Sequence, residues 1–140
     1  MKPLKILAVF IIIVCLNACK STNTMADNLY NTTWELDYIS GPRITFSGLY
    51  PDKSPQITFN KITKHVEGNA SCKGYRAEYT LNGNKISFGD PGPTTMMYCG
   101  EGEQTFLSTM KKINAYSFDE QGNLVFMLDD VAMMRFKKVN

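Results

Sequence analysis

The dipeptide Asn82-Gly83 separates two runs, Arg76–Leu81 and Lys85–Phe88, in which apolar and polar residues alternate. Alternation at period two marks a strand with one buried face. Asn-Gly favours the positive φ values of a type I′ turn, whose twist suits a hairpin. A hairpin of this kind must bury its apolar face, and the rest of the chain supplies similar segments. Trp34–Ile39, Gln56–Phe59, Lys64–Ala70, Ala115–Phe118, Leu124–Leu128 and Val131–Val139 all read as short strands. Turn chemistry at Glu120–Asn123 and Asp129-Asp130 separates the last three. Gly41–Pro55 is rich in Gly, Pro, Ser and Asp and reads as a long loop holding a short strand at Ile44–Phe46. Pro91-Gly92-Pro93 breaks the pattern, because proline cannot donate to a ladder. Gly100–Ile113 is the one good helix: Phe106, Leu107, Met110 and Ile113 form an apolar stripe. Glu101 and Glu103 at its start and Lys111 and Lys112 at its end complement the helix dipole. The expected fold is α+β, an antiparallel, partly closed β-sheet of short strands with one main helix packed on it.

The N-terminus carries a different message. Lys2 and Lys5 precede Ile6–Cys15, which has no polar side chain. This is the n-region and h-region of a secretion signal. The stretch from Leu4 to Leu16, interrupted only by Lys5, is 13 residues long, whereas a membrane span needs roughly 20. Leu16-Asn17-Ala18-Cys19 resembles the lipobox of bacterial lipoproteins. The resemblance implies that Cys19 is lipidated and that cleavage precedes it. Two or more acyl chains give stable anchoring where one does not. The expected organisation is a signal peptide over 1–18, a lipidated flexible tether over 19–29 and one domain over 30–140. Removing 18 residues from 140 leaves 122, a size suited to a single modest core.

Processing also changes the charge and cysteine inventory. The chain has 15 basic and 13 acidic side chains, and loss of Lys2 and Lys5 balances them. A balanced domain gives no reason to expect nucleic-acid binding. Cys15 leaves with the signal and Cys19 is acylated, so Cys72 and Cys99 remain. In an oxidising compartment they can form a disulfide. The loop from residue 72 through residue 99 is 28 residues, for which chain entropy gives about 3–4 kcal/mol. Two buried thiols, or metal ligation, are the alternatives. A single histidine and the lack of CxxC speak against zinc.

Residues that could carry chemistry have plainer readings. His65 opens a strand beside Lys64 and reads as a surface residue rather than a catalytic one. Asp129-Asp130 suits a turn better than a cation site. Met96, Met97, Met110, Met127, Met133 and Met134 are many for a small domain, and adaptable core packing accounts for them better than soft-metal binding. Trp34, Tyr75, Tyr79 and Tyr98 fit a ligand groove or a small core equally. Motifs for phosphate, nucleotide or nucleophilic chemistry are lacking. No catalytic residue, metal or cofactor is expected.

The middle of the chain resembles the META domain family, which includes heat-inducible bacterial lipoproteins. The family pattern is a Trp strand, G-x-x-G-C-N-x-x-x-G-x-Y, then T-x-M-x-C, then an acidic helical stretch with Phe. Trp34, Gly68, Cys72, Tyr75, Tyr79, Thr95, Met97, Cys99, Glu103, Phe106 and Leu107 match it. Ser71, Lys73 and Ala77 depart from it, and Ala77 is the departure expected to matter most if its position needs positive φ. The resemblance implies a small envelope protein whose motif residues are fold markers. Cys72 and Cys99 pair or pack, Gly68 turns the chain, and Thr95 and Met97 lead back to the core.

These readings point to a non-enzymatic envelope lipoprotein that supports outer-membrane integrity or stress tolerance through binding. Its expected contacts are the membrane, through the anchor at Cys19, and an unidentified envelope protein. Lys20 replaces the Asp that retains enteric lipoproteins in the inner membrane, which favours the periplasmic face of the outer membrane. The alternative is a periplasmic protein inhibitor, for example of lysozyme, using Gly41–Pro55 or Asp90–Thr94 as a protruding loop. Cys19→Ala is expected to leave the precursor uncleaved and free of fatty acid. Metabolic labelling checks this, and equal label on wild type and variant would defeat it.

Overall fold

The computed structural model describes residues 21–139. The signal segment and the proposed anchor at Cys19 lie outside the described residues. Eight antiparallel strands follow one another around a closed barrel: β1 (Thr33–Ile39), β2 (Gln56–Asn60), β3 (His65–Asn69), β4 (Gly74–Asn82), β5 (Lys85–Phe88), β6 (Ala115–Phe118), β7 (Leu124–Leu128) and β8 (Val131–Val139). The expected sheet was partly closed, and the structure corrects this. β8 returns to β1 in a long ladder from Thr33↔Val139 to Ile39↔Met134, so no edge is left. The shortest seam joins β5 to β6 at Lys85↔Ala115. Backbone bonds from Ile86 N to Asn114 O (3.3 Å) and from Tyr116 N to Asn84 O (2.9 Å) complete it.

Alternation explains the interior. Trp34, Leu36, Ile57, Phe59, Val66, Ala77, Tyr79, Ile86, Phe126, Met134 and Phe136 are buried and fill the barrel. The strand β1 shows where simple alternation fails. A register shift between Leu36 and Tyr38 inserts one extra residue, which turns Tyr38 outward and Ile39 inward. Aromatic rings link the strands: Phe59 meets Tyr79 edge-on at 5.1 Å, and Phe126 lies 5.1 Å from Phe136 and 5.2 Å from Phe88. Such pairs contribute about 0.5–1.5 kcal/mol each beyond simple burial.

The two barrel ends differ. One, the hairpin end, carries the β2–β3 turn at residues 60–64, the Asn82-Gly83 turn and the β6–β7 turn. Here the expected tether is corrected. Residues Ser21–Asp27 form a short helix, α1, and Met25 packs against the core. Leu29 is fully buried, and its carbonyl accepts the Trp34 indole N–H at 3.1 Å. An apolar pair spaced four apart, Met25 and Leu29, thus belongs to the domain, and polar composition around it concealed this.

The other, helical end holds α2 (Phe46–Leu49) and α3 (Gly100–Met110). The short strand expected at Ile44–Phe46 is instead the approach to α2, where the Thr45 hydroxyl caps the helix by accepting from Gly48 N at 3.2 Å. The stripe on α3 is buried as expected, with Phe106, Met110 and the following Ile113 inside and Leu107 partly so. This helix does not lie along the outside of the sheet. It seats Phe106 on Tyr75 at the mouth of the barrel, edge-on at 5.3 Å, and meets α2 where Tyr50 donates to Gly102 O at 2.9 Å. Burial pushes the pKa of the Tyr50 and Tyr75 hydroxyls up, so both stay protonated, and Tyr50 keeps its proton for the bond to Gly102 O. Phe106→Ala is expected to destabilise the domain by about 3–5 kcal/mol, the cost of an aromatic removed from a core. A shift under about half a kcal/mol in chemical denaturation would show that α3 contributes little to closing this end.

Candidate functional site

The helical end gathers most of the sequence-predicted site residues. Cys72, in the β3–β4 turn, is bonded to Cys99 at the start of α3, with the Cα atoms 5.6 Å apart. Beside it Lys73 reaches Glu103 on α3 at 3.1 Å, with their side chains only 15% and 9% exposed. Glu103 therefore does more than complement the helix dipole. Breaking a buried ion pair by removing one partner costs about 3–5 kcal/mol, because the other charge stays buried. Disulfide and ion pair bind the same turn to the same helix by independent chemistry.

Two positions near this turn, Gly68 in β3 and Ser71 in the turn itself, are conformationally special. Gly68 lies in β3 between Ile57 of β2 and Tyr75 of β4. A Cβ at that position would collide with the Gln56 carbonyl, which is backbone and cannot swing away. Gly68 is thus required for close strand approach rather than for a turn. Ser71 has φ of 130°, a region that favours glycine. The expected strain at Ala77 is not found, since Ala77 is an ordinary inward residue of β4.

Between these ties the chain from Gly89 to Tyr98 crosses the outside of the barrel. Gly89 N and Gly92 N donate to Glu78 O and Arg76 O, each at 2.9 Å, so the segment continues alongside β4 beyond the end of β5. An open groove of about 760 Å³ lies between this segment and the β3–β4 strands. Tyr75 and the Glu67–Arg76 ion pair, 3.2 Å long, are on the strand side. Pro93, Thr94 and Thr95 are on the loop side. Next to it Met96, Met97 and Tyr98 are exposed, at 100%, 57% and 73%.

That exposure corrects the expectation that Thr95 and Met97 lead back to the core. Gly92 is the last residue of this segment bonded to β4; from Pro93 on, which cannot donate to a ladder, the chain leaves the sheet and is tied down again at Cys99. Core packing holds for Met110 and Met134, and it fails for Met96 and Met97. Trp34, Tyr75 and Tyr79 are core, whereas Tyr98 is surface. Tyr79 and Trp34 work at the far end, where the Tyr79 hydroxyl donates to Asn60 O at 3.0 Å. His65 bonds Thr63 O through Nδ1 at 2.8 Å and takes no part in the groove. Asp129 exchanges hydrogen bonds with the Asn114 side chain, both 2.8 Å, consistent with turn geometry. The ion pair Lys73–Glu103 escaped sequence reading, although both residues flank the cysteines.

Residues 27–140 match the META domain. The chain belongs to the META domain family. A comparison with curated proteins found no match. Among solved structures, the NMR structure of a protein from Burkholderia xenovorans is similar in fold, with a TM-score of 0.59 at 21% identity. The likeness covers 81% of this chain and 86% of that one.

The META motif is thereby given a spatial meaning in this chain. Gly68, Cys72, Tyr75, Thr95, Cys99, Glu103 and Phe106 surround one end of the barrel. They share no strand; the disulfide joins Cys72 to Cys99, the ring contact joins Tyr75 to Phe106, and Glu103 is paired with Lys73. Ser71, where the META pattern has Gly, is the strained member. Strain of this kind costs about 1–3 kcal/mol, and glycine adds about 0.5–1 kcal/mol of unfolded-state entropy. Ser71→Gly is expected to stabilise the domain by about 1 kcal/mol. Equilibrium denaturation checks it, and a lowered midpoint would show that the long Ser71 Oγ to Lys53 O bond, 3.4 Å, outweighs the strain.

Proposed function

We propose that this META-domain chain is a non-enzymatic envelope lipoprotein that acts by binding a partner at the helical end of its barrel, supporting outer-membrane integrity or stress tolerance. The observation that carries the reading is the contrast between interior and surface. Side chains fill the barrel, so a ligand must be met outside it. Three motif residues, Gly68, Tyr75 and Thr95, line instead an open groove, and the exposed Met96, Met97 and Tyr98 follow Thr95 in the chain. Methionine and tyrosine side chains on a loop held at both ends suit protein recognition, because they give large contact area with adaptable shape. The lipobox at Leu16–Cys19 supports the envelope location.

The second reading, a periplasmic inhibitor, draws support from the same segment, since Asp90 and Gly92–Thr94 are exposed although Gly92 is bonded to β4. Gly41–Pro55 offers less, because Leu49 and Tyr50 are buried. The replacement of Met96, Met97 and Tyr98 together by Ser leaves the core untouched. A deletion strain is expected to be sensitive to envelope stress, and the wild-type chain to restore resistance. The triple variant, present at normal level, is expected to fail. Full rescue by that variant would overturn the assignment to this loop, and potent lysozyme inhibition by the wild-type chain would favour the second reading.

A further inference from the structure

The hairpin end of the barrel presents a different surface. Ile62, at the tip of the β2–β3 turn, is 93% exposed. It is not loosely held. The Asn60 side chain accepts hydrogen bonds from Ile62 N and Thr63 N, both at 3.0 Å, and Lys64 N returns to Asn60 O at 3.1 Å. The turn therefore holds an isoleucine outward in a fixed position. Lys61 and Lys64 flank it, and the Asn82–Lys85 turn beside it adds Lys85. Lys61 meets Asp27 at 2.9 Å and stands over the Tyr30 ring, which fixes α1 to the same end. The other acids near this end are Glu67, which shares a pocket with Lys61 and Ile62 and is paired with Arg76 at 3.2 Å, Glu78 opposite His65, and Asp119 and Glu120 in the β6–β7 turn, with β4 and β5 between that turn and Ile62. Asp119 is occupied by the N–H groups of Gln121 and Asn123 at 3.0 and 2.9 Å.

The chain itself says what this end faces. α1 begins at Ser21, two residues after Cys19. At about 1.5 Å of rise per residue, Ser21 lies only roughly 9 Å along α1 from Asp27. A lipid on Cys19 would hold the hairpin end beside the bilayer. We propose that this end docks on an anionic phospholipid surface, with Ile62 entering the interface and Lys61 and Lys64 beside the headgroups. The proposal rests on the lipid-anchor reading and adds an orientation to it. An apolar residue among lysines is the composition of interfacial anchors, and each lysine near an anionic surface adds attraction. With the hairpin end down, the groove and Met96–Tyr98 point away from the membrane, toward a partner.

The test uses the lipidated protein purified from membranes and placed in vesicles of phosphatidylglycerol and phosphatidylethanolamine. An environment-sensitive dye is attached at Ile62→Cys, or at Val131→Cys on the opposite end, where the native residue is 61% exposed. The dye at 62 is expected to shift to the blue and to be quenched by lipid-borne quenchers, and the dye at 131 to stay in water. Lys64 has φ of 55°, which Asn tolerates, so Lys64→Asn removes charge without new strain. It is expected to lower the ratio of docked to free barrel about fivefold, the equivalent of about 1 kcal/mol per lysine. A water-like signal at 62 in protein whose mass includes the acyl chains overturns the orientation and leaves the anchor reading standing. Equal burial of both dyes overturns the orientation as well. Protein of unacylated mass overturns both.

Discussion

Pairing of the first strand with the last is the constraint on which the remaining structure depends. Eight short strands, several of only four or five residues, would each be marginal as open ribbons. The ladder from Thr33↔Val139 to Ile39↔Met134 removes both edges at once. It also turns a one-sided apolar face into an interior that Trp34, Phe126 and Phe136 can fill. Everything else answers to closure. The bulge in β1 reconciles its sequence with the curvature, and the short β5–β6 seam is the point where the ring is weakest.

That weak seam is spanned by the longest connection between successive strands, from Phe88 to Ala115, and the connection carries the helical cap. The result is a rigid ring with an elaborated loop, the usual division between scaffold and recognition surface. The loop is fixed at one end by backbone bonds to β4 and at the other by Cys99. Between those points it leaves Met96, Met97 and Tyr98 in solvent. A disulfide and a buried ion pair beside each other are redundant for stability alone. Their joint effect is to fix where α3 begins, and so where the exposed segment ends.

Much of this architecture could be read from residue order. The Asn82-Gly83 hairpin and the last three strands follow directly from alternation and turn chemistry, as does the stripe on α3. What could not be read depends on contacts between distant positions. Closure requires Thr33 to meet Val139, and no local pattern encodes that partnership. The membership of Met25 and Leu29 in the core was hidden by polar neighbours. The bulge that exchanges Tyr38 for Ile39 is set by barrel geometry. At the candidate site the cysteines and Phe106 were legible as markers, whereas the exposure of Thr95 and Met97 was not. A motif records that residues occur together, but it does not say which of them face inward.

Closure by the first and last strands also governs the order of events during synthesis. A chain made N-terminus first presents β1 long before β8 exists, and the two are separated by nearly the whole domain. Contacts so distant in sequence form slowly. Until Val139 arrives, β1 has one unpaired edge and a bare Trp34, features that invite pairing with other chains. Loss of the final strand would leave an open sheet with β1 and β7 each showing an unpaired edge, rather than a smaller closed barrel.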